Sequence, residues 1–281
     1  MTSPHHPLDE ALRLKPAPSS AFPGAGQYEG HTHPGYWNMV GPFGGITAAT
    51  LLQAVLQHPD RLGDPLSLTV NYAGALAAGA FTVQAVPVRT NRSTQHWTLS
   101  ILQADADGAQ VVTTTATAVT AVRRETWSVG DVPMPEVQAP ATHKAMGPMG
   151  GVEWLNRYEM RPIAGFVPRT WDGSGDHSLT QLWMRDAPAR PLDFCALAAL
   201  ADVFFPRVWL RRASHVPAGT VSITVYFHAS SAQLQETGTG YLLGQARGQE
   251  FRNGFFDQTA QLWNEAGTML ATSHQIVYYK E

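Results

Sequence analysis

Only one cysteine, Cys195, occurs among the 281 residues, so no internal disulfide and no thiolate metal cluster can form. Charge is scarce as well: Asp, Glu, Lys and Arg make up 15% of the chain, and the net charge is -3. Such a balance argues against nucleic acid or an anionic membrane surface as the main partner. No apolar run reaches transmembrane length. Residues 1–18 lack the apolar core of a signal peptide, so a cytoplasmic location is expected. A Gly-x-Ser-x-Gly elbow is missing, which disfavours a Ser-His-Asp hydrolase. His5, His6, His31 and His33 are not followed by a carboxylate or further histidine at ligand spacing. Zinc needs three or four convergent ligands, so they are expected to be loop histidines, with no metal.

What is present is a 44% hydrophobic composition, enough for a sizeable core in one large domain or two ordinary ones. One stretch stands out, Pro191-Leu-Asp-Phe-Cys-Ala-Leu-Ala-Ala-Leu-Ala-Asp-Val-Phe-Phe-Pro206. It predicts a single helix with Pro191 in the first turn, Asp193 capping or complementing the start, and Pro206 at the end. Phe194, Leu197, Ala198, Ala201 and Phe205 recur at helical spacing, and the alanines let another backbone approach closely. A helix this apolar is buried on most sides. Asp202 must then be paired, hydrogen-bonded or functional, unless it lies at a solvent edge. Cys195, in the same run, reads as an inert buried thiol.

That helix has a counterpart. Gly41-Pro-Phe-Gly-Gly45 leads into a mostly apolar helix at 46–57. Glycines at a helix start leave the first N–H groups accessible to a phosphate or a developing oxyanion, although close packing explains them equally. Strands are expected at 66–72, 80–89, 95–104 and 110–122 after the first helix, with Asp105-Ala-Asp-Gly108 as a hairpin turn. After the second, a loop at 207–219 precedes strands at 220–229, 240–249, 254–264 and 269–279, with a turn at Glu265-Ala-Gly267. A further strand is expected at 154–162. Residues 1–30 read as an arm over the surface, and the proline-rich stretch 125–151 as a linker.

The order repeats, and internal duplication is the economical explanation. The expected fold class is α+β, with tandem repeats at 31–124 and 152–281, each a long helix wrapped by a curved antiparallel sheet. Superposing the repeats element by element sets Val55 opposite Asp202, Leu66 opposite Thr220 and Ala116 opposite Gln275. One half then keeps polar groups where the other has only packing.

Taken in order, these pieces resemble the type II acyl-CoA thioesterases, the TesB-like double hotdog proteins. Leu182-Trp-Met-Arg185 is similar to the family's Trp-(Ile/Met)-Arg, and Ala199-Leu-Ala-Asp-Val-Phe-Phe-Pro206 to its Asp-containing helix end. Thr220-Val-Ser-Ile-Thr-Val-Tyr-Phe-His228 and Met269-Leu-Ala-Thr-Ser-His-Gln275 resemble two of its strands, and Gly41-Pro-Phe-Gly-Gly45 its Val-Phe-Gly-Gly. The resemblance implies a double hotdog that hydrolyses acyl-CoA to free acid and CoA. Asp202, Thr220 and Gln275 would hold the water, with Asp202 as base. No cofactor is implied beyond the coenzyme A of the substrate, and the chains are expected to pair as homodimers or larger assemblies. Gly44 and Gly45 are candidates for the oxyanion, and Trp37, Met39 and Phe43 for the acyl tail. Arg89, Arg92, Arg207, Arg211 and Arg212 are candidates for the coenzyme's phosphates, against the commoner reading of surface charge. The chain departs from the family pattern at Ser222-Ile223, where the family has Asp-His, after Gln275, and at Arg89-Thr-Asn-Arg-Ser93. Those departures keep open a non-catalytic acyl-CoA or lipid-binding module. An enoyl-CoA hydratase ranks lower, because no histidine follows Asp202.

Overall fold

The computed structural model describes residues 6–18, 24–148 and 150–281. In chain order the elements are α1 (Pro7–Ala11), β1 (Lys15–Ala17), β2 (Gly26–His31), α2 (Gly44–Leu56), β3 (Asp64–Tyr72), β4 (Ala80–Thr90), β5 (Thr94–Ala104) and β6 (Gln110–Ala121). They continue with β7 (Tyr158–Ala164), β8 (Thr180–Asp186), α3 (Phe194–Leu200), α4 (Arg207–Arg212), β9 (Ala218–Phe227) and α5 (Ser231–Thr237). The last are β10 (Leu242–Arg247), β11 (Phe251–Arg252), β12 (Phe255–Asn264) and β13 (Met269–Tyr279). Among the described residues, all thirteen strands belong to one sheet in the order β1-β2-β4-β5-β6-β3-β9-β13-β12-β10-β8-β7, with β11 paired to β12.

The two repeats join where β3 pairs antiparallel with β9. That ladder is centred on Thr69 and Thr224, which pair and whose hydroxyls lie 3.0 Å apart. The centre fixes which residues correspond. Leu68 pairs with Ala118 as Ile223 pairs with Gln275, and Pro65 pairs with Thr120 as Thr220 pairs with Val277. The counterparts of Gln275 and Thr220 are therefore Ala118 and Pro65, rather than the expected Ala116 and Leu66. The bulges, at Leu66 and at Val221, fall at corresponding places in the two repeats, so the difference lies in the anchors: Tyr72 corresponds to Phe227 rather than Tyr226, and Gly267 to Gln110 rather than Gly108.

Helices α2 and α3 pack on one another inside the sheet. A Cβ at Gly45 would lie 2.7 Å from the Ala199 carbonyl oxygen, so glycine permits this approach. Leu51 and Leu52 of α2 are fully buried, each stabilising the fold by roughly 1.5–3 kcal/mol. Every residue of α3 is buried, as its run of alanine and leucine requires.

Some elements differ from expectation. The single helix expected over 191–206 is broken: α3 starts at Phe194, with Asp193 as the N-cap accepting from the Ala196 N–H at 2.8 Å. It ends at Leu200, and Pro206 instead precedes a second helix, α4, within the segment expected to be a loop. Pro191 lies outside α3. Part of the stretch read as a surface arm is integral to the core. Leu8 is fully buried, and β2 pairs with β4 along Gly26–His31. His6 caps α1 by accepting from the Leu8 N–H, and His33 Nδ1 accepts from the Gly35 N–H. His31 bonds the Thr32 carbonyl, and His5 lies outside the described residues. Among the described residues, no group of three or more His, Cys, Asp or Glu is placed to hold a metal. No helix among them is long and apolar enough to cross a membrane.

Candidate active site

Asp202 lies two residues beyond α3, where its backbone N–H still donates to the Ala199 carbonyl at 3.1 Å. Its neighbour Ala201 presents a helix-end carbonyl that would be unsatisfied, and the Ser273 hydroxyl of β13 donates to it at 3.1 Å. Helix end and strand are thus tied together, which brings Gln275, two residues along β13, to the carboxylate. Gln275 Nε2 donates to Asp202 Oδ1 at 2.8 Å, and the Thr220 hydroxyl donates to Gln275 Oε1 at 3.3 Å. The three residues singled out in the sequence form one hydrogen-bonded chain.

The other side of the site comes from the first half. The Gly45 N–H, in the first turn of α2, donates to the Asp202 carboxylate. A Cβ at Gly44 would lie 2.7 Å from Asp202 Oδ2 and 3.1 Å from the Tyr72 hydroxyl. Only glycine leaves that oxygen its room. Tyr72, at the end of β3, donates from its hydroxyl to the Gly44 carbonyl at 2.8 Å. Asp202 is 8% exposed. Burial pushes its carboxyl up to about 7, against the opposing pull of the Gln275 amide and the Gly45 N–H. Burial also pushes the Tyr72 phenol well up, and the nearby Asp202 charge adds to the rise. A carboxylate near neutrality, with one oxygen held and the other facing a helix start, can exchange a proton with a bound water.

The remaining candidates divide. Phe43 is buried immediately before Gly44 and stacks on Trp154 at 4.1 Å. Trp37 is half-buried; its carbonyl accepts from the Trp154 N–H at 3.2 Å. Met39 is 58% exposed on the adjoining loop. Arg89 and Arg92 lie at the β4–β5 hairpin, from which β5 sets out at Thr94; Thr94 pairs with Ala121 of β6, and Ala121 with Asp64 at the start of β3. Thr220 is near the start of β9, which runs opposite to β3, so the structure does not bring those arginines to Asp202. Arg207 is fully buried. Its guanidinium donates to the Phe205 and Ser178 carbonyls and the Thr180 hydroxyl, and burial pushes its pKa down to about 9. It is no surface phosphate ligand in this structure. Arg211 donates to the Gly175 carbonyl, and Arg212 pairs with Glu281 at 2.6 Å.

Sequence reasoning gave no site role to Tyr72, Ser273 or Tyr158. Tyr72 ends an alternating strand at a half-buried position, and its polar tip was the available signal. Ser273 carried none, since a serine inside a strand gives no sign that it satisfies a helix end.

Tandem helix-and-sheet repeats joined edge to edge, with one polar site between them, define a double hotdog protein. Residues 33–121 match the model of the acyl-CoA thioesterase N-terminal domain, and residues 133–279 that of the acyl-CoA thioesterase C-terminal domain. The chain belongs to the acyl-CoA thioesterase family. Among solved structures it is similar to a hot dog fold protein of unknown function from Alicyclobacillus acidocaldarius. The identity is 46%, with 99% of each chain covered and a TM-score of 0.88. A putative thioesterase II from Thermobifida fusca shares 18% identity over 99% of each chain, with a TM-score of 0.80. The acyl-CoA thioesterase II TesB2 of Mycobacterium marinum shares 17% identity, covering 97% of this chain and 98% of its own, with a TM-score of 0.73. The last two likenesses bear on the fold alone. No curated protein matches the chain.

Proposed function

We propose that this protein hydrolyses acyl-CoA thioesters with a water activated by Asp202. The observation that carries the reading is the chain Thr220–Gln275–Asp202 closed by the Gly45 N–H, a buried carboxylate held at the junction of the repeats. The water gives a proton to Asp202 while its oxygen bonds to the thioester carbon, and Gln275 and Thr220 fix the geometry. The developing oxyanion needs a donor. The Gly45 N–H is engaged by Asp202, which leaves the Gly44 N–H, one residue earlier on α2, for that role. As the carbon–sulfur bond breaks, Asp202 returns its proton to the leaving thiolate, so acid and thiol form and the base is restored. Phe43 directly precedes the glycines and Trp37 bridges to Pro42 beside them, which makes both candidates for contact with the acyl tail.

The test is thiol release from a panel of acyl-CoAs, short to long and aromatic, with native protein beside Asp202→Asn. Turnover by the native protein that is lost in the folded variant is expected. Equal turnover by both would remove Asp202 from the chemistry, and binding without turnover would favour a non-catalytic acyl-CoA-binding role.

A further inference from the structure

Next to Asp202 lies a second group of buried polar side chains that hydrolysis does not use. Tyr36, Tyr158 and Asp186 are 0%, 5% and 3% exposed. The two phenol hydroxyls, Asp186 Oδ1 and the Arg157 Nε all lack a hydrogen-bond partner. They form one cluster. Tyr158 pairs with Asp186 across the β7–β8 ladder, and the Tyr36 and Tyr158 rings meet edge-on at 6.4 Å. The Asp186 charge acts on both phenols, and Arg157 on that of Tyr36. Tyr158 connects the cluster to the site: the Asp202 charge also reaches it, and its ring meets that of Phe43 at 6.1 Å.

Native interiors rarely leave such groups unpaired, and several together point to a polar partner bound among them. The donors are two phenols and a guanidinium N–H, and the acceptor is a carboxylate. A hydroxyl answers both kinds, accepting from a phenol while donating to Asp186. A carboxylate would face the charges of Asp186 and Asp202 and is disfavoured. The stacked rings of Phe43 and Trp154 both meet the Tyr158 ring edge-on, at 6.1 and 6.0 Å, and give that phenol an apolar flank.

We infer that Tyr36, Tyr158 and Asp186 receive a hydroxyl at the far end of the acyl chain, so that the protein selects hydroxylated acyl-CoA over its plain counterpart. This rests on the thioesterase reading for its substrate. The preference takes effect at the acyl end remote from the thioester, and Tyr158 is its main determinant.

The experiment compares hexanoyl-CoA, ω-hydroxyhexanoyl-CoA and adipoyl-CoA with native protein, Tyr158→Phe and Tyr36→Phe, after each variant's melting has been checked. Two readouts are taken: kcat/KM, and calorimetric Kd for the hydrolysis-resistant ketone analogues with CH2 in place of sulfur. Native protein is expected to favour the hydroxylated ligand over the plain one by at least about tenfold, with the dicarboxylate weakest. In Tyr158→Phe that ratio should collapse to about twofold or less, and Tyr36→Phe, a milder change, should reduce it. Turnover without any preference would overturn the inference, leave the thioesterase reading standing, and assign the cluster to solvent. Preferential binding of the hydroxylated analogue with no turnover would uphold the inference and overturn the reading. Absence of both would overturn both.

Discussion

Near the end of α2 in the first half, Gln53 reaches across to the first turn of α3, where its Oε1 lies 3.4 Å from Cys195 Sγ. At the end of α3 in the second half, Asp202 reaches the first turn of α2 and takes the Gly45 N–H. Gln53, rather than the expected Val55, is therefore the residue that plays the corresponding structural part. The surroundings follow the charge. The neutral amide has Ala118 and Pro65 where the carboxylate has Gln275 and Thr220. A buried amide asks for one or two partners, whereas a buried carboxylate must be surrounded by donors or take up a proton. Duplication supplied the frame twice, and only one copy carries the groups that make a carboxylate tolerable there.

The largest break in that comparison is Asp202→Asn, which gives the second half a neutral amide like the first. Loss of a general base is expected to lower kcat by roughly 10²–10⁴-fold, read by thiol release. Stability should move the other way. The Asp202 carboxyl shifts from 3.8 to about 7 on folding, so the native state holds the proton more tightly. Its contribution is full below the unfolded value and is lost as the pH rises through about 7. At about pH 8 the asparagine variant should be the more stable, by a few kcal/mol at most, and in acid the two should unfold alike. Urea midpoints across pH measure the difference, and a variant less stable than native at about pH 8 would contradict the assignment.

Adjacent glycines separate activity from packing. In Gly44→Ala the new Cβ meets the ends of the Asp202 and Tyr72 side chains, which can yield at the cost of the site's geometry. Activity should fall roughly 10²-fold while the melting temperature changes little. In Gly45→Ala the Cβ meets the Ala199 carbonyl, which is backbone and cannot step aside. That variant should lose about 1–3 kcal/mol of stability in a urea titration. Smaller again is Gln275→Ala, which copies Ala118. Without its amide the Asp202 carboxyl rises further, so the ascending limb of the pH–rate profile should move to higher pH. At neutral pH, kcat/KM should drop roughly tenfold, the worth of a hydrogen bond to a charged group. An unmoved limb would mean that Gln275 does not act on Asp202.

The sequence made much of this legible, for physical reasons. Strand alternation and the acidic-glycine turns located the strands after each helix, and a carboxylate inside an alanine-rich apolar run announced itself as costly. The resemblance then joined Asp202 to Thr220 and Gln275. Three things were hidden. Tyr72 and Tyr226 stand one residue out of correspondence and the turn glycines Gly108 and Gly267 two, with no signature in the strands themselves, which moves the counterparts of Thr220 and Gln275. Pro206 was read as a stop, although proline before a helix serves equally as a start, so α4 was missed. Residues 26–30 read as part of an arm because the stretch 1–30 is rich in proline, glycine and alanine, yet a Cβ at Gly30 would strike the Phe81 ring, so that glycine is required by packing in the sheet.

The smallest effect belongs to Gln53→Ala, and it is the sharpest test of asymmetry. Gln53 touches Cys195, a thiol held well above its ordinary range by burial and so inert at neutral pH. Removing a weak contact to sulfur at a half-buried position should cost no more than about 1 kcal/mol. Turnover of every acyl-CoA in the panel should stay within about twofold of native, since no step of the hydrolysis passes through that end of the sheet. A loss comparable to that of Asp202→Asn would mean that the first half holds a working site of its own, built on an amide and a thiol. The comparison between the halves would then describe two chemistries instead of one.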